Sequence, residues 1–171
     1  MNQSEWGAPT FIQQKKNGTV RFLSNFKKLN KRIRGKPFPI PKIQNMLLNL
    51  EGFTYASSLG LNMGYHYIEL SPVSKQLCTI VLPWGKYDYQ KLLMGVCNSP
   101  DIFQANISKL FKVFYMVHEY IDDVLVITKT DFKDHLKSLD RVLQRLAEEG
   151  LKVNAENNYL DEQKLNILVS G

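Results

Sequence analysis

The segment Met116–Thr128 reads MVHEYIDDVLVIT and decides the fold. Two runs rich in β-forming residues, Val117–Ile121 and Val124–Thr128, flank the acidic pair Asp122-Asp123. β-branched apolar runs on both sides of a short polar break are typical of a hairpin, and Asp is favoured in turns. We therefore predict two strands that carry both carboxylates at or near the tip of a hairpin.

Other segments predict helices and strands on both sides of this hairpin. Ser99 is predicted to be the N-cap and Pro100 the first residue of a helix over Ile102–Phe111. Asp131 is predicted to cap a long amphipathic helix that ends at Gly150. An irregular N-terminal stretch is expected. Four further segments predict strands: Thr19–Ser24, Phe53–Leu61, Tyr67–Leu70 and Cys78–Leu82. A turn is predicted at Trp84–Tyr87 and a short helix at Ile43–Leu50. The order β-α-β-β-α-β-β-α-β favours an α+β fold, an antiparallel sheet backed by helices.

The composition is that of one globular domain or of a lobe of a larger one, with 171 residues, 44% of them hydrophobic, and a net charge of +6. The charge is unevenly distributed, because residues 1–50 hold ten of the 22 Lys and Arg side chains but only one of the 16 acidic ones, Glu5. A basic end joined to an acidic remainder suggests a polyanionic partner such as nucleic acid. A solvated basic surface is the alternative.

The same composition argues against secretion, a membrane partner and a zinc site. No run of apolar residues in the sequence is long enough to span a bilayer, and the N-terminus lacks a basic-then-apolar signal pattern. Cys78 and Cys97 lack the spacing of a zinc site, and a chain of this size needs no disulfide to fold. We expect both cysteines to be buried thiols.

The pair Asp122-Asp123 is the strongest candidate for a chemical site. Mg²⁺ is a hard cation that proteins hold through one or two carboxylates together with phosphates of a substrate. Two adjacent carboxylates at a hairpin tip fit that requirement. The alternative is that the two aspartates only form the turn.

Four short blocks stand in order along the chain: Arg21-Phe22 before Leu29-Asn30, Gly64-Tyr65-His66, Leu92–Pro100 followed by Phe103-Gln104, and Tyr120–Asp123. Together they resemble the reverse transcriptase of gypsy-class LTR retrotransposons. The resemblance is collinear from about Ser4 to Asn154 and weakens afterwards. A Tyr-x-Asp-Asp motif alone has little specificity, whereas four blocks in this order are specific.

This resemblance implies the fingers and palm of an RNA-directed DNA polymerase. A basic fingers-like segment is expected at residues 1–50, and a palm at residues 51–171 that includes part of the fingers at about 72–92, without a thumb or downstream domains. The implied reaction is template-directed DNA synthesis from dNTPs on an RNA or DNA template-primer, by two-metal phosphoryl transfer with Mg²⁺ or Mn²⁺. The implied location is intracellular, in the cytoplasm within a virus-like particle or in the nucleus.

The resemblance also implies roles for individual residues. Asp122 corresponds to a metal ligand and Asp123 to its supporting partner, and both count as catalytic. Lys16 and Arg21 correspond to residues that hold the triphosphate, and a solvated basic face is the alternative for them. Tyr65 corresponds to the steric gate under the incoming sugar, and Met94 with Gly95 to residues near the nascent base pair. The alternative for Tyr65 is an aromatic core residue, and the alternative for Met94 and Gly95 is a core methionine beside a turn glycine.

Gly60 is the most consequential departure from the family's pattern. It stands where the resemblance expects another metal-binding aspartate, and glycine supplies no side-chain oxygen. Asn25, Lys27, Leu93 and Asn157 are further departures. We therefore expect polymerisation to be severely impaired or absent. The alternative function is a non-enzymatic nucleic-acid-binding remnant or a decayed fragment.

Overall fold

The computed structural model describes residues 4–14, 18, 20–35, 37–39, 52–154 and 159–161. The chain forms two compact units. The first unit consists of Met1–Pro37 and Tyr65–Pro100, and the second of Phe38–Gly64 and Asp101–Gly171. The helix predicted at Ile43–Leu50 lies outside the described residues. The boundaries predicted for fingers and palm stay a prediction.

A four-stranded mixed sheet forms the first unit. Its strands are β1 (Ala8–Gln14), β2 (Val20–Ser24), β4 (Thr79–Leu82) and β5 (Gly85–Asp88), in the order β2-β1-β4-β5. β1 runs antiparallel to β2 and parallel to β4. The expectation of an irregular N-terminal stretch is therefore wrong. The turn predicted at Trp84–Tyr87 is correct for Trp84 alone: Pro83 and Trp84 form the turn, and Gly85 already pairs with Leu82 and starts β5.

Two short helices of the first unit were not predicted. α1 (Lys27–Asn30) is a single turn, and α2 (Pro72–Leu77) begins after Ser71, whose hydroxyl accepts a hydrogen bond from the Ser74 amide at 3.3 Å. The strand predicted at Tyr67–Leu70 is wrong. The chain forms a 3₁₀ turn at Gly64–Tyr67, and beyond it only an isolated bridge joins Glu69 to Lys91.

A small apolar core holds the first unit together, and it contains one of the two cysteines. Its buried residues are Ala8, Phe26, Leu29, Cys78, Ile80 and Leu93. Burial, with a smaller contribution from the charge of Asp88, raises the pKa of the Cys78 thiol to about 11. Cys97 is exposed, so the prediction that both thiols are buried is correct for Cys78 and wrong for Cys97.

Three strands form the centre of the second unit. β3 (Tyr55–Asn62) pairs antiparallel with β7 (Asp123–Thr128), in a register from Tyr55 opposite Thr128 to Gly60 opposite Asp123. β6 (Val117–Tyr120) pairs with the other edge of β7. The predicted hairpin is thus confirmed. β8 (Lys152–Val153) and β9 (Tyr159–Asp161) both pair antiparallel with β3.

Two long helices accompany this sheet. α3 (Ser99–Leu110) starts at Ser99 itself, whose hydroxyl is buried without a hydrogen-bond partner among the described residues, so the predicted Ser99 cap is wrong. α4 (Phe132–Glu148) is capped as predicted, because the Asp131 carboxylate accepts from the Asp134 amide at 2.8 Å. The largest side chains that the second unit buries completely or almost completely are Phe103, Gln104, Ile107, Val124, Val126, Val142 and Leu146. No helix in the described part of the chain is long and apolar enough to cross a membrane.

A buried histidine joins α4 to the sheet. His135 is 2% exposed, and its ring nitrogens lie 2.8 Å from the Ser57 hydroxyl on β3 and 2.9 Å from the Thr128 hydroxyl on β7. Its ring also contacts that of Tyr55, with 5.8 Å between centroids. Burial lowers the pKa of His135 because the charged imidazolium loses hydration. The native unit therefore holds this ring neutral.

We predict that His135 makes the protein less stable in acid. Since its pKa is lowered in the folded state, the unfolded chain binds the extra proton first. The resulting stability is fully present above the unfolded pKa of about 6.5 and is lost as pH falls through the folded value. Urea unfolding followed by circular dichroism, at several pH values between about 7.5 and 5, measures the loss.

The substitution His135→Gln should reduce that pH dependence. It should also cost about 1–3 kcal/mol at neutral pH, since the Ser57 and Thr128 hydroxyls lose a partner. His66→Gln is the matched control, because His66 is exposed. Equal pH dependence in the unmodified chain and His135→Gln would contradict this assignment.

Candidate active site

The two aspartates lie where the β6–β7 hairpin turns. Tyr120 pairs with Asp123, so Ile121 and Asp122 form a two-residue loop. Ile121 has a φ of 51°, a left-handed conformation that is strained for a β-branched residue. The Asp122 carbonyl accepts a hydrogen bond from the Leu61 amide of β3 at 2.7 Å. The loop is thereby fixed to the neighbouring strand.

Gln104 of α3 holds the other side of this loop. Its side chain is fully buried, and its Oε1 accepts a hydrogen bond from the Ile121 amide at 2.7 Å. Its Nε2 donates to the Glu119 carbonyl at 3.3 Å. One side-chain amide therefore satisfies both the backbone amide of the strained residue and a carbonyl two residues before it. Gln104 belongs to one of the four sequence blocks, Leu92–Pro100 followed by Phe103-Gln104, but the sequence alone gives no indication of this positioning role.

The carboxylate of Asp122 is incompletely satisfied. Its Oδ1 is buried and has no hydrogen-bond partner among the described residues. Burial, and then the charge of Asp123, raise the pKa of Asp122, and partial desolvation raises that of Asp123. Both effects disfavour two negative charges at this point. A bound cation would reverse them, because it stabilises the ionised carboxylates.

Gly64 leaves the space beside this orphaned oxygen. A Cβ placed on Gly64 would lie 3.1 Å from Asp122 Oδ1 and 2.6 Å from Cζ of Phe103. Any larger residue would therefore displace the Phe103 ring or press on the carboxylate. The need for glycine comes from this close approach, which only the folded chain shows.

Gly60 stands directly across from the aspartates. It is buried in β3 opposite Asp123, and its carbonyl accepts a hydrogen bond from the Asn154 amide at 2.8 Å. A side-chain carboxylate at this position would start from the strand that faces the aspartate pair. In the register of β3 against β7, position 60 is thus where a metal-binding carboxylate on β3 would be expected, and glycine occupies it.

The donor set fits one divalent cation but not two. Asp122 and Asp123 are adjacent carboxylates, and one of them has an orphaned buried oxygen. Two-ion phosphoryl transfer needs ligands that clamp both the attacking and the leaving oxygen. Among residues 52–154 and the other described segments, no group of three His, Cys, Asp or Glu side chains could hold a metal ion. The described residues thus bring together two of the carboxylates that such a site would need.

The predicted nucleotide-binding residues belong to the first unit. Arg21 is exposed on β2 opposite Gln13, and Lys16 lies outside the described residues. Tyr65 is buried, with 6% of its surface exposed, in the 3₁₀ turn. Burial of Tyr65 is compatible with a core packing residue and also with a steric gate under the incoming sugar. The roles of these three residues stay predictions.

Met94 and Gly95 lie in a loop that Asn30 anchors. Asn30 Nδ2 donates to the Gly95 carbonyl at 2.8 Å, and Asn30 Oδ1 accepts from the Cys97 amide at 3.0 Å. Gly95 has a φ of 94°, which side chains rarely adopt, and Met94 is 62% exposed. The alternative of a core Met94 is therefore wrong, whereas the turn role of Gly95 is confirmed.

Comparison with known proteins identifies the family to which the chain belongs. Residues 13–157 match the family described as reverse transcriptase (RNA-dependent DNA polymerase). Because this match covers most of the 171 residues, the chain belongs to the reverse transcriptase family. Members of this family use divalent metal ions.

Retroelement polyproteins are among the relatives. The chain is 32% identical over 170 residues to the Retrovirus-related Pol polyprotein from transposon opus of Drosophila melanogaster, covering 95% of this chain and 17% of the relative. It is 26% identical to the corresponding gypsy polyprotein of the same organism, covering 98% of this chain and 17% of the relative. Identity to the enzymatic polyprotein of cauliflower mosaic virus (strain Strasbourg) is 28%, covering 94% and 24%. The chain is thus a reverse transcriptase domain that spans a quarter or less of these relatives.

Solved structures show the same fold. The native protease-reverse transcriptase of prototype foamy virus has 25% identity and a TM-score of 0.86, covering 95% of this chain and 22% of that protein. A foamy viral protease-reverse transcriptase in complex with double-stranded DNA has 24% identity and a TM-score of 0.89, covering 98% and 29%. The predicted α+β fold of reverse-transcriptase fingers and palm is confirmed.

We predict that Gln104→Leu loosens the hairpin that carries Asp122. The substitution removes the partners of the Ile121 amide and the Glu119 carbonyl, and each buried group left unsatisfied costs about 1–3 kcal/mol. Urea unfolding should show that loss, and amide hydrogen exchange should speed up around residues 119–123. Gln144→Leu, at an exposed position of α4, is the control. Unchanged exchange at Ile121 would argue against the positioning role.

Proposed function

We propose that this chain is the fingers-palm part of an RNA-directed DNA polymerase that binds a template-primer and a dNTP but has lost polymerisation at Gly60. The register of β3 against β7 carries the proposal. It places Gly60 opposite Asp123, on the strand from which a second set of metal ligands would come. A site with Asp122 and Asp123 alone cannot hold the two ions that the reaction needs.

Mg²⁺ is the cation proposed for the remaining half-site, with Mn²⁺ as a substitute. Asp122 and Asp123 offer hard carboxylate oxygens, which suit these ions. Asp122 would contribute the oxygen that is buried and unpaired, and Asp123 the neighbouring charge. When bound, the ion supplies charge stabilisation to a phosphate group.

The first unit would hold the nucleotide. Arg21 offers a planar guanidinium that can bind a triphosphate through paired hydrogen bonds, and Lys16 offers a point charge. Tyr65 would lie under the sugar, and Met94 with Gly95 beside the nascent base pair. The exposure of Arg21 and Met94 supports these roles, because both side chains are accessible to a ligand.

Gly60→Asp should restore primer extension on an RNA template. Gly60 is not among the glycines with positive φ, so the backbone accepts an aspartate. We expect the extension rate to rise on the order of a hundredfold, the scale on which one preorganised charge contact changes an enzyme's rate. Primer extension with Mg²⁺ or Mn²⁺ measures it.

Two controls make this experiment specific. Gly60→Asn adds a side chain of the same shape without charge, and Gly60→Asp combined with Asp122→Ala removes one carboxylate of the hairpin loop. Neither variant should extend the primer. Extension by the unmodified chain at a rate close to that of Gly60→Asp would contradict the proposal, and so would the absence of recovery in Gly60→Asp.

Gly60→Asp should also couple folding stability to Mg²⁺. In EDTA the added carboxylate lies near two others and should lower the melting temperature. With Mg²⁺ the order should reverse, since an ion at a hundredfold excess over its Kd stabilises the folded state by about 2.7 kcal/mol. Thermal unfolding of the unmodified chain, Gly60→Asp and Gly60→Asn, each with EDTA and with Mg²⁺, provides the measurement. Equal Mg²⁺ effects in Gly60→Asp and Gly60→Asn would show that residue 60 does not face the site.

A further inference from the structure

The hairpin of β1 and β2 is only partly covered by the rest of its sheet. β4 pairs with β1 at Ala8 and Pro9, so from Thr10 onward the described part of the hairpin is a ribbon of two strands. β2 lies at the end of the strand order, and no described strand pairs with its outer edge. A ribbon of two strands is marginally stable in water, and a third strand stabilises it.

The outer edge of β2 presents backbone groups that are not used inside the hairpin. The Asn25 amide donates to the Pro9 carbonyl at 2.9 Å, and bonded pairs alternate with unbonded pairs along an antiparallel ladder. Every second residue of β2 before Asn25 therefore bonds to β1, whereas Val20 and Phe22 direct their N–H and C=O groups outward. No described residue bonds to these four groups.

The side chains at this edge are apolar on one face. Val20 and Phe22 point to the same face, because side chains alternate along a strand. They are 61% and 45% exposed, and Ile12, which lies directly opposite Phe22 on β1, is 58% exposed. A strand added at the edge would cover part of this apolar surface with its own apolar side chains, which favours binding.

Arg21 gives the opposite face of the edge a positive charge. It lies between Val20 and Phe22, is exposed, and pairs with no acidic side chain among the described residues. Residues 6–50 contain ten Lys and Arg and no Asp or Glu, so this part of the sequence supplies no partner for it. An incoming strand with an acid opposite Arg21 would form a cross-strand ion pair.

A second copy of β2 does not fit this edge. Antiparallel pairing that uses all the free groups of both copies places Val20 of each copy opposite Phe22 of the other, and Arg21 opposite Arg21. Like charges directly opposite each other destabilise a pair of strands, and a charged residue on an edge strand opposes self-association.

Nucleic acid does not match the edge either. Its phosphate oxygens only accept hydrogen bonds, whereas the edge alternates donors with acceptors at the spacing of a polypeptide strand. Another extended backbone satisfies both kinds of group.

We propose that the outer edge of β2 binds an extended, antiparallel peptide strand of another protein. An acidic residue of that strand would lie opposite Arg21, between two apolar residues opposite Val20 and Phe22. Main-chain hydrogen bonds give such strand addition its affinity, and the alternating side chains give it specificity.

This inference goes beyond the proposed function, in which the backbone of β2 has no role. The acid of the peptide and a triphosphate would compete for Arg21, so peptide binding is measured without nucleotide, nucleic acid or divalent cation. Restoration of primer extension by Gly60→Asp and peptide binding at β2 can therefore fail independently of each other.

The test is the fluorescence anisotropy of a labelled peptide titrated with the full chain in EDTA. The peptide has seven residues and capped ends, with valine at the odd positions and aspartate at the even ones. In the proposed register the valine N–H groups face β2 and the aspartate N–H groups face away. N-methylation of the valines should therefore weaken binding roughly tenfold, since two or more hydrogen bonds are lost. N-methylation of the aspartates is the matched control and should change affinity little.

Charge reversal tests the ion pair. Arg21→Glu should weaken binding of the aspartate peptide roughly fivefold to tenfold, because attraction across the strands becomes repulsion. It should strengthen binding of a peptide with lysine in place of aspartate. Lys109→Glu makes the same change of charge at an exposed position of the second unit, and should leave both affinities nearly unchanged.

A proline tests the edge from the side of the protein. The Phe22 N–H is not used inside the hairpin, and proline is accepted where an edge strand directs its N–H to solvent. Phe22→Pro should bind the peptide roughly fivefold more weakly than Phe22→Thr, which loses the ring but keeps the N–H. Circular dichroism checks that both variants fold, and the two N-methylated peptides test the edge without any change to the protein.

Three results would overturn the proposal. Equal affinity for the two N-methylated peptides would mean that charge alone holds the peptide, as it would hold any polyanion, nucleic acid included. Equal losses in Arg21→Glu and Lys109→Glu would have the same meaning. A dimer in sedimentation equilibrium that Phe22→Pro dissociates would assign the edge to a second copy of the chain.

Discussion

The antiparallel register of β3 against β7 is the constraint on which the second unit depends. It runs from Tyr55 opposite Thr128 to Gly60 opposite Asp123, and the Leu61 amide continues it by bonding the Asp122 carbonyl at 2.7 Å. A slip of one residue would turn the buried Val124 and Val126 to the opposite face of the sheet. The packing of two valines therefore decides which residue of β3 faces the aspartates.

The hairpin loop is strained, and its surroundings hold it in place. Ile121 adopts a left-handed φ of 51°, which costs about 1–3 kcal/mol. Gln104 compensates by satisfying the Ile121 amide and the Glu119 carbonyl from inside the core. Gly64 leaves room for the unpaired oxygen of Asp122. The loop thus presents a carboxylate that lacks a partner within the described residues, which suits ion binding and would contribute nothing to a hairpin whose only task is to turn.

Sequence patterns predicted the parts of this arrangement that depend on local periodicity. The hairpin and α4 with its Asp131 cap follow from alternating and helical spacing. The patterns missed β1, in which the successive residues Phe11 and Ile12 are 57% and 58% exposed, because it lacks the alternation of a half-buried strand. The roles of Gln104 and Gly64 were inaccessible for another reason. Each depends on a residue at least 15 positions away, and no local spacing records such a contact.

The uneven charge of the sequence leaves unpaired cations in the first unit and adjacent carboxylates in the second. In the first, Lys27, Lys28, Lys31 and Arg32 are free of acidic partners among the described residues, so phosphate is the simplest source of compensating charge. In the second, two carboxylates with raised pKa values lie close together, and a bound cation would stabilise their ionised form. In the proposed function, glycine at position 60 removes catalysis because it takes one carboxylate from the second unit. The exposed cations of the first unit are unaffected by that loss.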